Sequence, residues 1–247
     1  MTKPLVCFGD FDSLCYAAGR CELEEDMRIT IHNAVSTVIK RCGTDKIAAW
    51  VEVCENKFNF RNHVATTRPY KGNRKGKVKP PLLNAAKHYM VEQGYARWCN
   101  YIESEDKMLI EANKYGIEHS IFSYIDKDCR QQHGRVYDYK KDELYEITPD
   151  EAALNFYMQV LTGDSTDNIV GIMGTGFRKQ IVVDAKKKLL TLEQAAMPLF
   201  VAQTYAKCEY SYDYLVEQCR LLYLLRKAHE VYTYPIERAE YELLGNL

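Results

Sequence analysis

Two aspartates three residues apart, Asp164 and Asp167, lead into a glycine-rich turn in the stretch LTGDSTDNIVGIMGTGFRK, residues 161–179. If Ser165 to Ile169 turns as a helix, the two carboxylates share a face and can hold one cation between them. Gly171, Gly174 and Gly176 let the backbone take positive φ and approach a ligand closely. The amides of such a turn, entering a helix with Arg178 and Lys179 in its first turn, would face a phosphate. A metal site beside a phosphate cradle is the chemistry of phosphodiesters. A polar loop followed by an ordinary glycine turn fits the same residues.

Further acids stand where strands should end. The apolar run 5–11 closes on Asp10, with Asp12 following; 47–53 contains Glu52, and Glu55 lies just beyond. The run 96–102 leads into Glu103, Glu105 and Asp106, and 119–126 ends in Asp126 with Asp128 two residues on. Acids in a helix first turn also answer the helix dipole, so capping is a second reading of Glu103 to Asp106. Two unit charges at 4 Å repel by about 1 kcal/mol in water and about 4 kcal/mol at an effective dielectric of 20. Converging acids therefore need metal, and oxygen donors without His or Cys select Mg²⁺ or Mn²⁺ over zinc.

The elements that would position these acids alternate. A strand over 5–11, helices from near Ser13 and over Met27 to Cys42, and a strand over 47–53 predict a parallel sheet. A helix over Leu82 to Gly94 returns the chain to the sheet, a small hairpin is expected over 136–147, and the chain beyond Asp150 reads as helical. Helices are expected over Lys179 to Leu190, after Thr191 as N-cap, and over Tyr212 to His229. In an open parallel sheet, ligands bind at the carboxyl ends of the strands, where the acids accumulate. The expected domains are an α/β core over 1–160, with a basic arch over about 61–90, and a helical region over 161–247.

Charge is distributed unevenly. The chain has a net charge of −1, yet Asn56 to Val91 contains no acid and nine cations: Lys57, Arg61, Arg68, Lys71, Arg74, Lys75, Lys77, Lys79 and Lys87. Its core, RPYKGNRKGKVKPP, is too rich in Gly, Lys and Pro to bury a face and should be a surface loop or arch. A stretch of this kind that also holds Tyr70 fits a polyphosphate surface. With 247 residues, 47% hydrophobic and 27% charged, the composition is that of a globular protein. No stretch approaches the roughly 20 apolar residues of a membrane span, and the N-terminus does not read as a signal peptide. A cytoplasmic location is expected. The nine cysteines are scattered without C-x-x-C pairs and are read as reduced and mostly buried.

Five blocks in this order, GDFDSLCYAAG, NFRN…RPYKGNRKGK, ESEDKMLIEA, SYIDKD and LTGDSTDNIVGIMGTG, resemble the flap endonuclease or 5′-nuclease family, and most of all its bacteriophage 5′-to-3′ exonucleases. The resemblance implies an α/β sheet domain with a helical arch and a helical region containing a helix-two-turn-helix DNA-binding motif. It also implies two Mg²⁺ or Mn²⁺ ions and cleavage of DNA from 5′ ends or 5′ flaps, with RNA in hybrids a further candidate substrate. Asp10, Glu103, Glu105, Asp106, Asp126, Asp128, Asp164 and Asp167 match its metal-binding acids. Lys71 and Arg74 match the arch cations that face the scissile phosphate. Arg61, Tyr70, Lys75, Lys77, Lys79, Gly171, Gly174, Gly176, Arg178 and Lys179 would contact DNA, with K⁺ a candidate at the helix-two-turn-helix motif. Replication proteins are candidate partners, and the cytoplasm would be that of an infected bacterial host if the chain is phage-encoded. The family's Phe-Asp after the second strand is absent, since Cys54 and Glu55 stand near that place. Two other readings remain open: a haloacid-dehalogenase-type phosphatase using Asp10 and Asp12, and a non-catalytic DNA-binding protein.

Overall fold

The computed structural model describes residues 3–53, 58–173 and 177–244. In chain order the elements are β1 (Val6–Asp10), α1 (Asp12–Ala18), α2 (Glu24–Cys42), β2 (Ile47–Glu52), α3 (Arg61–Val64), α4 (Leu83–Glu92), β3 (Arg97–Cys99) and α5 (Ser104–Tyr115). There follow β4 (Ser120–Ser123), β5 (Gly134–Asp138), β6 (Glu143–Ile147), α6 (Pro149–Thr162), α7 (Phe177–Leu189), α8 (Met197–Lys207), α9 (Tyr212–Leu222) and α10 (Arg238–Leu244). Among the described residues no helix is long and apolar enough to cross a membrane. All eight described cysteines are free, and all but Cys21 are buried.

The chain forms two compact units. The first comprises Met1–Asn59, Lys77–Ile147 and Leu224–Glu230; the second comprises Phe60–Gly76, Thr148–Tyr223 and Val231–Leu247. The cut after Ile147 differs from the expected boundary near 160, because α6 packs on α7, α8 and α9. Its start is set locally: Thr148 accepts the Glu151 N–H, the Glu151 carboxylate accepts the Thr148 N–H, and Pro149 opens the first turn.

In the first unit the sheet runs β3-β2-β1-β4-β5-β6. All neighbours are parallel except the β5–β6 hairpin, which forms its edge. Parallel strands buried on both faces need apolar side chains, and Cys7, Ala49, Val51 and Ile121 meet Leu14, Val35 and Met90 in one cluster. The order reverses at β1, which lies between β2 and β4. The crevice at the carboxyl ends of β1 and β4 is thus the topological switch point. Strand β3 is shorter than the expected 96–102, and Tyr101, just past it, takes a φ of 68°.

In the second unit Val160, Leu161, Leu189, Val201, Tyr205 and Leu215 form the core. Two sequence expectations change here. Helix α9 stops at Leu222 and does not run to His229, because Arg61 donates to the Leu221 and Tyr223 carbonyls and closes the last turn. Thr191 caps no helix; its hydroxyl donates to the Lys188 carbonyl, and the next α-helix begins at Met197.

After α6 the chain makes a loop whose neck is two glycines. Gly163 and Gly171 have φ of 70° and 61°, and Asp164 and Ile169 exchange both backbone hydrogen bonds inside it. A Cβ on Gly163 would lie 2.3 Å from the Ile169 carbonyl oxygen, and one on Gly171 2.3 Å from the Gly163 nitrogen. Gly43, with φ 65°, has nothing within 4 Å of such a Cβ. Positive φ costs an L-residue roughly 1–2 kcal/mol, and overpacking adds about 1–3 kcal/mol. Gly163→Ala and Gly171→Ala should therefore each lower unfolding free energy by about 2–5 kcal/mol in urea titrations, whereas Gly43→Ala loses only the φ penalty. Equal losses at all three positions would contradict the pinched neck.

Candidate active site

Asp10 ends β1 and is fully buried. Its Oδ1 accepts the Asp12 N–H at 3.1 Å and the Ser104 hydroxyl at 2.7 Å, while Oδ2 is buried without a hydrogen-bond partner. Ser104 has one proton to give, and Glu105 Oε2 stands 3.2 Å away as its other acceptor. Burial, then the charges of Asp12 and Asp126, push the Asp10 carboxyl up to about 7, against the Ser104 hydrogen bond. Glu105 is likewise raised well above the carboxylate range by burial, then by Asp10, Glu103, Asp126 and Glu52.

Each acid has a local reason for its place. Glu103 and Asp106 are the N-cap and N3 residues of a capping box on α5, whose first turn packs against β1. Of the two readings of that acidic run, capping is what Glu103 does here, and its charge is also among those that raise Glu105. Asp106 is fully buried, and its oxygens accept the Glu103 N–H at 3.2 Å and the Leu225 N–H at 2.9 Å. Asp126 begins the 3₁₀ turn Lys127–Gln131 and accepts the Asp128 N–H at 2.9 Å. Both carboxylates are half-buried.

Asp12 has a different environment. It accepts the Glu52 N–H at 2.9 Å and pairs with Lys87 Nζ at 2.6 Å, and Lys87 also donates to the Glu52 carbonyl at 3.0 Å. Burial lowers the affinity of Lys87 for its proton, but the Asp12 charge and hydrogen bond outweigh it, and its pKa is raised. Sequence reading counted Lys87 only as one of nine cations. Its spacing on α4 with Leu83, Ala86 and Met90, all buried, was the signal that it points inward.

In the second unit Asp164 accepts the Thr166 N–H at 2.6 Å. Asp167 is met by Tyr70 Oη at 2.8 Å, Arg74 at 2.6 Å and Lys71 Nζ at 3.7 Å. The Lys71 N–H donates to the Asp167 carbonyl, Asn73 to that of Ser165, and Asn168 to that of Pro69. Residues 69–74 thus clamp the loop carrying both acids. Three residues expected to face DNA have partners within the protein. Arg61 is buried and committed to α9, Tyr70 is buried against Asp167, and Gly171 donates to Gln218 and accepts from Tyr214. Lys75, Lys77, Lys79 and Lys179 are exposed, and Arg178 lies over the Tyr210 ring with Glu209 at 3.9 Å. Gly174, Gly176 and Glu55 fall outside the described residues.

Oxygen donors alone, like charges near one another, and a buried carboxylate oxygen with no partner fit a hard divalent cation at Asp10. Among the described residues no three His, Cys, Asp or Glu side chains close on one point at ligand distance. The donor chemistry fits; the convergence is electrostatic.

This fold is that of the phage-type 5′-nucleases. The chain is similar to the bacteriophage T5 D15 protein crystallised with metal ions, with a TM-score of 0.59, 13% identity and 89% of each chain covered. It is also similar to the T5 D15 flap endonuclease in a pseudo-enzyme–product complex with DNA and metal ions, with a TM-score of 0.57, 12% identity, and 89% of this chain and 98% of that one covered. A T5 5′-exonuclease with bound zinc gives a TM-score of 0.54 at 13% identity over 89% of this chain and 98% of that one. No protein-family model and no curated protein matches the sequence.

A carboxyl raised from about 4 in the unfolded chain to about 7 in the fold makes the folded state bind the extra proton between those values. Stability is then lost as pH rises through that window, by a few kcal/mol once both are passed. Metal-free protein should melt at progressively lower temperature from pH 5 to pH 8, and Asp10→Asn should flatten that trend. Mg²⁺ should restore the wild type at pH 8 and not the variant. Parallel pH profiles for the two proteins would contradict the buried-charge account.

Proposed function

We propose that this protein is a divalent-metal-dependent 5′-nuclease that hydrolyses DNA phosphodiesters at 5′ ends or 5′ flaps. The observation that carries this reading is Asp10: fully buried, with one oxygen unpartnered, raised by burial and then by the charges of Asp12 and Asp126, and set at the switch point of a phage 5′-nuclease fold. Asp10, Glu103, Glu105, Asp106, Asp126 and Asp128 would hold Mg²⁺ or Mn²⁺. Asp164 and Asp167 belong to the set on the sequence resemblance alone. Two such ions would supply a water activated for attack and a Lewis acid for the leaving 3′ oxygen.

The chain's own residues do the remaining work. Ser104 fixes one Asp10 oxygen, so the other keeps a set direction. Lys87 holds Asp12 and the end of β2 in place from below. Lys71 and Arg74 would neutralise charge growing on the scissile phosphate, a contribution of about 3–4 kcal/mol at comparable electrostatic sites. In the free protein Asp167 keeps both cations paired. The exposed Lys75, Lys77 and Lys79 would attract the phosphate backbone. The helix-two-turn-helix motif, with Gly174, Gly176, Arg178, Lys179 and K⁺, rests on the resemblance, as do RNA–DNA hybrids as substrates, replication partners and action in the cytoplasm of an infected bacterium.

The two rival readings explain less. A D-x-D phosphatase needs Asp12 as a general acid, yet Asp12 is bound to Lys87 and a backbone amide. A non-catalytic DNA-binding protein leaves the buried acids without a purpose. The test uses 5′-labelled blunt, nicked and flapped duplexes with and without Mg²⁺. The wild type should release 5′ products only with metal and leave p-nitrophenyl phosphate intact. Asp126→Asn should lose more than the roughly 100-fold that outer-shell changes at metal sites reach, with DNA affinity retained. Near-normal Mg²⁺-dependent cleavage by Asp126→Asn would remove the carboxylates from the mechanism, and p-nitrophenyl phosphate turnover without DNA cleavage would favour the phosphatase.

A further inference from the structure

Two large rings stand in solvent on the first unit, where most aromatic residues are buried or half-buried. Phe58 is 63% exposed and Tyr101 62% exposed, and their ring centroids are 6.0 Å apart at an interplanar angle of 44°. Tyr101 lies two residues past the end of β3, at the end of the sheet where β2 also stops. β2 and β3 pair in parallel with Glu52 opposite Cys99, the Val53 N–H donates to the Cys99 carbonyl, and both strands end on the edge of the sheet that carries Asp10. Tyr101 comes two residues before Glu103, and two residue steps span at most about 7 Å. The backbone at Tyr101 therefore stands within that reach of Glu103 and the start of the acidic run.

The backbone at Tyr101 supports a purpose for this position. Its φ of 68° lies in the left-handed region that a bulky L-residue rarely adopts, and its N–H is held by Asn100 Oδ1 at 2.9 Å. A strained conformation that holds a ring out of the core costs stability for no gain in burial. Such outliers cluster where a ligand is clamped. Two tilted rings leave open faces for one planar, polarisable group. Bases within a duplex already stack on their neighbours, whereas an unpaired base has a free face.

We propose that Phe58 and Tyr101 form a stacking platform for an unpaired nucleobase of the DNA strand, positioning it beside the acidic cluster. This inference rests on the nuclease reading of that cluster. Base–aromatic stacking changes affinity by about 5- to 150-fold per base, so removing the platform should matter measurably. The rings are positioning residues, since neither touches the reacting atoms.

Glycine at 101 separates folding from binding, because it accepts positive φ without strain. The full chain is titrated with flapped DNA carrying 2-aminopurine at successive unpaired positions, with Ca²⁺ in place of Mg²⁺. Wild type and Tyr101→Phe should change the fluorescence at one position. Tyr101→Gly and Phe58→Ala should lose that change and raise KM for unpaired-end substrates about tenfold, with kcat little altered and with Tyr101→Gly melting no lower than wild type. Equal 2-aminopurine signals and KM values in wild type and both variants, with cleavage intact, would overturn the platform and leave the nuclease reading standing. A concentration-dependent dimer lost in the variants, again with an unchanged signal, would assign the rings to a second copy and also overturn it. A wild type that cleaves no strand would overturn both.

Discussion

The first unit depends on a set of like charges that its fold forces into low-dielectric surroundings. A parallel sheet buried on both faces has only its strand ends for polar chemistry, and the reversal at β1 opens a crevice there. Asp10 fills it from below and α5 brings its first turn to the same place. The helix N-terminus, the Ser104 hydroxyl and the Asp12 amide offer partial compensation, yet Asp10 and Glu105 both remain raised and one Asp10 oxygen has no partner. Nothing in folding alone favours that arrangement, because an isosteric amide would relieve it. A cation would resolve the conflict, and stability given up at such a site is the usual mark of chemistry.

The second unit answers the same problem internally. Asp167 receives a phenol, a guanidinium and an ammonium, all from residues 70–74, and its loop is closed by two glycines whose backbones touch. Glu217 is treated similarly: the amides and hydroxyls of Thr66 and Thr67 all donate to it, and its pKa is lowered despite burial. Carboxylates in this unit therefore organise the segment 60–76, which sequence reading assigned to a basic arch. The cations of that segment divide into buried or paired ones, Arg61, Lys71 and Arg74, and exposed ones, Arg68 and Lys75.

That division shows which physics is legible in a sequence. The acids that close β1 and β2, the parallel sheet, α4, the α5 capping box and the β5–β6 hairpin all follow from local periodicity and short-range spacing, and all are present, whereas β3 and β4 stop at Cys99 and Ser123, short of the acids that follow them. The fates of Arg61 and Tyr70 depend on partners 160 and 97 residues away, which a charge count cannot see. The end of α9 is likewise set by partners distant in sequence. Its apolar stripe continues past Leu222, but Leu224 and Leu225 give their amides to Gln131 and Asp106. Lys87 was the recoverable omission, since its burial is written in the helical spacing of its apolar neighbours.

The central claim is that the Asp10–Glu105–Asp126 cluster is completed by a divalent cation. Calorimetric titration of the metal-free protein with Mn²⁺, in two buffers of different ionisation enthalpy at pH 6.5, tests it most directly, because metal binding to raised carboxyls must expel their protons. The account predicts saturable binding with net proton release, and the loss of that release in Asp10→Asn. Absence of saturable binding, or binding whose heat is the same in both buffers, would contradict it.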